Sequence, residues 1–240
     1  MSALGHIVFG CTSRGSRLYD YIERNMCFGT HFNTHVLVRP GGTIGQIYEG
    51  IKDEIVSIDH KNIRVVLAAG LCNLTEKVSH ENGTELRYIR DNSNVVNIVS
   101  ELRSIQSDLL ANNIPVQFVS IVPACINKYR DFNLNRYQFK KQQYRLRQSI
   151  FSDVEIDKMQ KELELDVDYI NQEIMDLNKD GGVSNIRWDK TMIKMKIRRN
   201  KKYYRYNYQN LYDGVHPTEE LYEEWYTNMC TSIQHEILKQ

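Results

Sequence analysis

The sequence predicts an α/β fold: a three-layer α/β/α sandwich on a mainly parallel five-stranded sheet, with a helical excursion added. Three observations carry this. Short apolar runs rich in β-branched residues recur along the 240 residues. The segments between them place apolar side chains at helical spacing. The two kinds of segment alternate, and strands joined by helical crossovers give a parallel sheet with helices on both faces.

Taken in order, "HIVFG" from His6, "HVLVRP" from His35, "IRVVLAAG" from Ile63 and "IPVQFVSIVP" from Ile114 are the strands, with "GGVSNIRW" from Gly181 a weaker fifth. The first, third and fourth runs are too short for buried helices and too uniformly apolar for a strand with one wet face. Each therefore reads as a strand covered on both sides. Helical faces follow at Leu18, Tyr21 and Ile22, at Ile44, Ile47, Tyr48, Ile51 and Ile55, and at Val95, Ile98, Val99, Leu102, Ile105 and Leu109. Asp168 to Asn178 supplies a helix before the fifth strand, and Leu221, Trp225, Met229, Ile233 and Ile237 form a ridge at step four on a final helix.

Residues 1–240 read as a single domain with two segments outside this rhythm. Residues 129–165 are polar, basic first and acidic later, and read as a helical insertion or lid. Residues 189–210 interleave lysines and arginines with tyrosines, and the alternation in "IKMKI" suits a half-exposed strand.

The balance of 31 Lys+Arg against 30 Asp+Glu gives no whole-molecule pull toward nucleic acid or membrane, so any such pull is local. The N-terminus has no signal-peptide pattern, and no window approaches the roughly 18 apolar residues of a membrane span, which predicts a cytoplasmic protein. Five scattered cysteines without CxxC spacing argue for free thiols. His31 and His35 offer metal ligands without a third partner, so no metal site is expected.

Ligands bind such sheets beyond the carboxyl ends of the strands. The first such loop, "GCTSRGS", offers the hydroxyls of Thr12, Ser13 and Ser16. The second carries Gly41 and Gly42, the third is "GLCN" from Gly70, and the last approach is "DGVHP" before the final helix. A carboxylate at Asp213 and an imidazole at His216, three residues apart on one turn, suit a base and its orienter. A hydroxyl at a helix start and nearby amide donors complete the parts of an acyl-transfer site.

This set, in this order, resembles the SGNH hydrolases, also called GDSL esterases and lipases. Gly70 and Asn73 match the family's Gly-x-x-Asn block, Asp213 and His216 its Asp-x-x-His block, and Gly42 (or Gly41) its second-block glycine. The resemblance implies an SGNH/flavodoxin-like fold. It also implies ester hydrolysis without a cofactor or metal, and an oxyanion hole from Gly42 and Asn73. The first block departs from Gly-Asp-Ser: counting from Gly10, Cys11 stands where the family has aspartate and Thr12 where it has the nucleophile. Thr12 is the expected nucleophile. Ser13 replaces it only if the turn shifts by one residue, and the roughly 100° between successive helical side chains should aim Ser13 away from His216.

Two functions remain in play. One is an ester hydrolase, or a catalytically weakened derivative, acting on a small ester. The other is a non-catalytic module holding nucleic acid or a protein partner through the basic segment, with Lys196, Arg198, Arg199, Lys201 and Lys202 as contacts and no membrane role.

Overall fold

From the N-terminus the chain runs through β1 (Gly5–Cys11), α1 (Leu18–Asn25), β2 (Phe32–Val38), α2 (Ile44–Ser57), β3 (Ile63–Ala68), α3 (Leu71–Leu74), β4 (Thr75–His80), β5 (Gly83–Tyr88), α4 (Asn94–Ala111), β6 (Val116–Phe118), α5 (Ile126–Lys141), α6 (Asp153–Asp180), α7 (Trp188–Met192), β7 (Ile193–Arg198), β8 (Lys201–Tyr206) and α8 (Glu219–Leu238). This is a computed structural model. It describes residues 5–28, 32–59, 62–81, 83–91, 93–141, 149–198 and 201–238, with backbone alone for 136–141, 198 and 201.

The central sheet has the order β2-β1-β3-β6, and every pairing in it is parallel. Because successive strand residues point to opposite faces, β1 splits its side chains between two cores. Val8 packs with Val65, Leu67, Val116 and Phe118 beneath α2, α4 and α6. Ile7 and Phe9 pack with Val66 against Leu18 and Ile22 of α1 and the ridge Leu221, Trp225, Met229 and Ile233 of α8. Three layers follow directly from this alternation, as the apolar runs imply.

The expected fifth strand does not form among the described residues, and the sheet has four strands. "GGVSNIRW" contributes one parallel bridge, Ile186 to Val119. The reason lies in α6, whose buried amides meet the backbone a fifth strand would pair with. Asn178 accepts from Phe118 N (2.8 Å) and donates to Phe118 O (2.8 Å); Asn171 does the same for Ile121 at 2.6 and 2.8 Å. A buried polar group left unmet costs about 1–3 kcal/mol, so two amides serving four such groups remove the need for a longer ladder.

Within residues 129–165, α5 runs on to Lys141 and α6 opens at Asp153. The latter helix starts behind a capping box of Ser152 and Glu155, and from Ile156 onward it is a core helix, burying Leu163, Val167, Ile170, Ile174 and Leu177. Two hairpins lie outside the main sheet. β4 and β5 pair antiparallel beside the β3 exit, and β7 and β8 form an antiparallel ribbon from residues 193–206. Among the described residues no helix is long and apolar enough to cross a membrane.

Candidate active site

The turn after β1 decides the hydroxyl. Thr12 is buried, has extended backbone (φ −80°, ψ −172°) and accepts from Arg14 N at 3.5 Å, which makes it the N-cap of a short 3-10 helix over Ser13–Gly15. Ser and Thr take this position because their side-chain oxygen meets an otherwise unpaired helix N–H. With Thr12 turned into its own backbone, Ser13 is the residue that faces the last turn. Its Oγ lies 3.0 Å from His216 Nε2. The expectation that Thr12 would meet His216 and that Ser13 would point away is thus corrected. A rotation of about 100° per residue holds only within a helix, and the first helical residue here is Ser13.

His216 Nδ1 lies 2.7 Å from Asp213 Oδ2, so the ring is held between a carboxylate and a hydroxyl. The second carboxylate oxygen, Oδ1, accepts from Val215 N (2.8 Å) and His216 N (2.7 Å). Burial alone would raise the Asp213 pKa, but the hydrogen bonds from the His216 ring and from the two backbone amides outweigh it. They hold the carboxyl below its ordinary 3.8. An anion beside Nδ1 fixes the tautomer that leaves Nε2 free to accept a proton.

The loop carrying these groups is pinned from several sides. Leu211 bridges Pro217, Tyr212 N donates to His216 O (2.9 Å), and Cys125 N donates to Gly214 O (2.7 Å). Gly214 has φ +87°, and a Cβ there would stand 2.6 Å from both Cys125 O and Tyr129 N. Both the left-handed backbone and the backbone contacts require glycine. Tyr212 stacks on His216 with ring centroids 5.8 Å apart. Pro217 sits in the bridge, and the final helix starts two residues later, at Glu219.

Sequence reasoning missed Arg14. Its side chain is buried; Nε donates to Val215 O at 2.9 Å and Nη1 donates to Val122 O, while the Tyr226 hydroxyl donates to Arg14 O at 2.8 Å. Being next to Ser13 in sequence and gripping the residue before His216, it ties the two halves of the site together. Nη2 has no partner among the described residues, and Arg14 lines a void of about 20 Å³, room for one water. Desolvation by burial lowers its pKa to about 10, leaving it charged at neutral pH. The sequence signal is weak: Arg14 is one of two arginines, with Arg17, in the loop between β1 and α1.

The oxyanion candidates divide. Gly42 is buried, and its N–H donates to Arg39 O at 3.0 Å, closing a turn. Gly41, at φ +73°, borders the cavity with Ser13 and His216. Asn73 sits on α3, where its Oδ1 accepts from Ile44 N at 3.0 Å and its carbonyl accepts from Asn94 Nδ2 at 2.7 Å. That leaves Nδ2 as the end able to donate elsewhere. Burial pushes the Cys11 thiol up to about 12 and raises Cys72 as well, so neither is a thiolate nucleophile.

The Ser13–His216 pair stands between two concavities. One, of about 380 Å³, is lined by Leu71, Cys72, Leu86, Ile89, Tyr129 and Val215, with Thr75, Glu76 and Lys77 along one side. The other, of about 530 Å³, is polar and carries Ser16, Arg17, Tyr212, Glu219 and Tyr222. The β4–β5 hairpin, absent from the sequence reading, supplies part of the first wall. No group of three or more His, Cys, Asp or Glu fit to hold a metal occurs among the described residues. His31 lies outside them, and His35 sits 2.9 Å from His6 Nδ1 and 2.6 Å from Glu54 Oε1. Of the basic-segment candidates, Lys196 and Lys202 are exposed on the β7–β8 ribbon, Arg198 and Lys201 pair through their backbones near its tip, and Arg199 lies outside the described residues.

No protein-family model matches the chain, and no curated protein matches it in sequence. Solved structures do. The chain is similar to an acetyl xylan esterase (15% identity, TM-score 0.58, covering 95% of this chain and 99% of that one). It is similar to a lipase/acylhydrolase from Enterococcus faecalis (13%, 0.57, 98% and 97%). A GDSL-like lipase from Bacteroides thetaiotaomicron is a third (17%, 0.55, 98% and 88%). At these identities the likeness shows the fold, which is SGNH-hydrolase-like over nearly the whole chain.

Proposed function

We propose that the protein is an ester hydrolase with Ser13 as nucleophile, His216 as general base and Asp213 as its orienter. The observation that carries this reading is the unbroken chain from Asp213 Oδ2 to His216 Nδ1 (2.7 Å) and from His216 Nε2 to Ser13 Oγ (3.0 Å). Both spans lie within hydrogen-bond reach, the geometric requirement for proton transfer. Ser13 Oγ attacks the ester carbonyl carbon as its proton passes to His216 Nε2, and the Asp213 carboxylate stabilises the imidazolium so formed. The tetrahedral oxyanion is met by donors at the β-strand exits, with Asn73 Nδ2 and the Gly41 amide assigned here in place of Gly42. Collapse breaks the carbon–oxygen bond to the leaving alkoxide, which takes the proton from His216. Water, deprotonated by His216, then attacks the acyl-serine; the acyl carbon–Oγ bond breaks, Ser13 Oγ takes the proton back from His216 and the carboxylic acid is released, to ionise in solvent. The apolar cavity suits the acyl chain and the polar cleft the alcohol. In this reading Thr12 stands in the place of the family's aspartate, and Cys11 is an extra residue between Gly10 and the nucleophile.

The test combines turnover with covalent labelling. Hydrolysis of p-nitrophenyl acetate is expected, together with a fluorophosphonate adduct that mass spectrometry locates on Ser13 and that is absent in His216→Ala. No hydrolysis and no adduct, or an adduct on Thr12, would sink this assignment.

A further inference from the structure

The β7–β8 ribbon has no part in this chemistry, yet its composition is unlike the rest of the molecule. Between Asp189 and Asp213 the chain holds eight basic residues and no acidic one; of 31 basic residues in all, 23 remain elsewhere against 30 acidic, a net of −7. The near-neutral whole thus conceals a basic arm on an acidic body.

Register sorts the arm's side chains into two faces. Lys194 pairs directly with Arg205, and Lys196 with Tyr203, so these four share one face. Met195 opposite Tyr204 and Ile197 opposite Lys202 make the other. Directly opposed residues have Cβ atoms about 4.5–5.5 Å apart, and like charges there are destabilising. Lys194 and Arg205 nevertheless stand opposite each other. Neither they, Lys196 nor Lys202 joins any ion pair among the described residues. All four are exposed, as is Tyr203. The ribbon is anchored at its base, where Asn207 N donates to Met192 O (2.6 Å) and the Tyr206 hydroxyl donates to Asp168.

Opposed, unpartnered cations on an exposed face call for an anionic ligand with several charges. An aromatic ring set among them calls for a ligand that also offers flat π-faces. Phosphates joined to accessible bases meet both demands, whereas a duplex hides its base faces in the stack and a lipid surface has none. We propose that the β7–β8 ribbon binds single-stranded nucleic acid on the face of Lys194, Lys196, Tyr203 and Arg205. The cations contact phosphates and Tyr203 stacks on a base. This function is independent of ester hydrolysis.

Fluorescence anisotropy of the full chain with labelled 20-nucleotide oligouridylate and oligothymidylate, across a salt series, tests it, and the two probes separate RNA from DNA. The logarithm of the association constant is expected to fall linearly with the logarithm of salt concentration. Replacing Lys194, Lys196 and Arg205 by Gln should flatten that slope by about 2, at about 0.7 per lost single-strand phosphate contact. Tyr203→Ala should weaken binding about tenfold with the slope unchanged. Met195→Thr with Ile197→Thr, on the opposite face, should leave binding as it was. The proposal is overturned if neither oligonucleotide binds, or if the triple variant keeps the wild-type slope. It is equally overturned if a 20-base-pair duplex competes as well as either single strand, or if only phosphatidylserine vesicles bind.

Discussion

The turn holding Asp213 and His216 and the ribbon of β7 and β8 are separated by a few residues of chain, yet their polar groups live in opposite conditions. In the turn, each Asp213 oxygen has a partner, His216 is bonded at both ring nitrogens, and Arg14 is gripped by two carbonyls. On the ribbon, Lys194 and Arg205 face each other with no ion pair to either among the described residues. An over-determined cluster is preorganised for work at fixed geometry, because its donors need not reorganise as charge develops. An under-determined one gains most from a ligand that brings the missing charges.

The sharpest way to break the comparison is at the dyad. Ser13→Ala and His216→Ala should each lower kcat by about 10⁶-fold, as loss of the nucleophile or the base does in comparable triads, whereas Thr12→Val should leave kcat within about tenfold while costing about 1 kcal/mol as a lost N-cap. Stopped-assay rates on p-nitrophenyl acetate and chemical denaturation separate the two effects.

Gly214→Ala comes next. It forces a Cβ onto two backbone atoms at a left-handed position, and urea unfolding should show a loss of about 3 kcal/mol. The acid limb of stability offers a gentler probe. The folded-state pKa of Asp213 is depressed, so its contribution is fully present above the unfolded value near 3.8 and is lost as pH falls through the lower folded value. Asp213→Asn should flatten the fall in thermal midpoint below about pH 4 and leave no such difference in slope above it.

The ribbon should respond least and in the opposite sense. Lys194→Glu, placed across from Arg205, converts a repulsive pair into an attractive one and should stabilise the fold by about 0.2–1 kcal/mol in the same unfolding assay. A stabilising change in the ribbon beside uniformly damaging ones in the turn would confirm that the two regions are built for different tasks.

Much of the frame was legible because burial writes itself into the sequence at period two and period 3.6. The runs at Ile7–Phe9 and Val65–Leu67, and the α8 ridge from Leu221 to Ile233, could be read as core directly. The β4–β5 hairpin is hard to read from the sequence although the Asn82-Gly83 dipeptide is a turn signal, since both strands are short and only β5 is mostly buried. The fifth strand failed for a subtler reason: nothing in "GGVSNIRW" reveals that Asn171 and Asn178 satisfy backbone groups at Phe118 and Ile121 from another layer.

By itself the sequence determined the alternating elements, the SGNH-like order of loops, and the Asp213–His216 pair, whose partners are three residues apart and meet through local geometry. Only the tertiary structure decided that Ser13 and not Thr12 faces His216, that Gly42 turns its amide to Arg39, and that Arg14 binds the two loops into one site. The first and last of these depend on hydrogen bonds between residues 203 and 201 positions apart, Ser13 to His216 and Arg14 to Val215. No local periodicity can encode such bonds, because what fixes them is the packing of two strand exits against the start of the last helix.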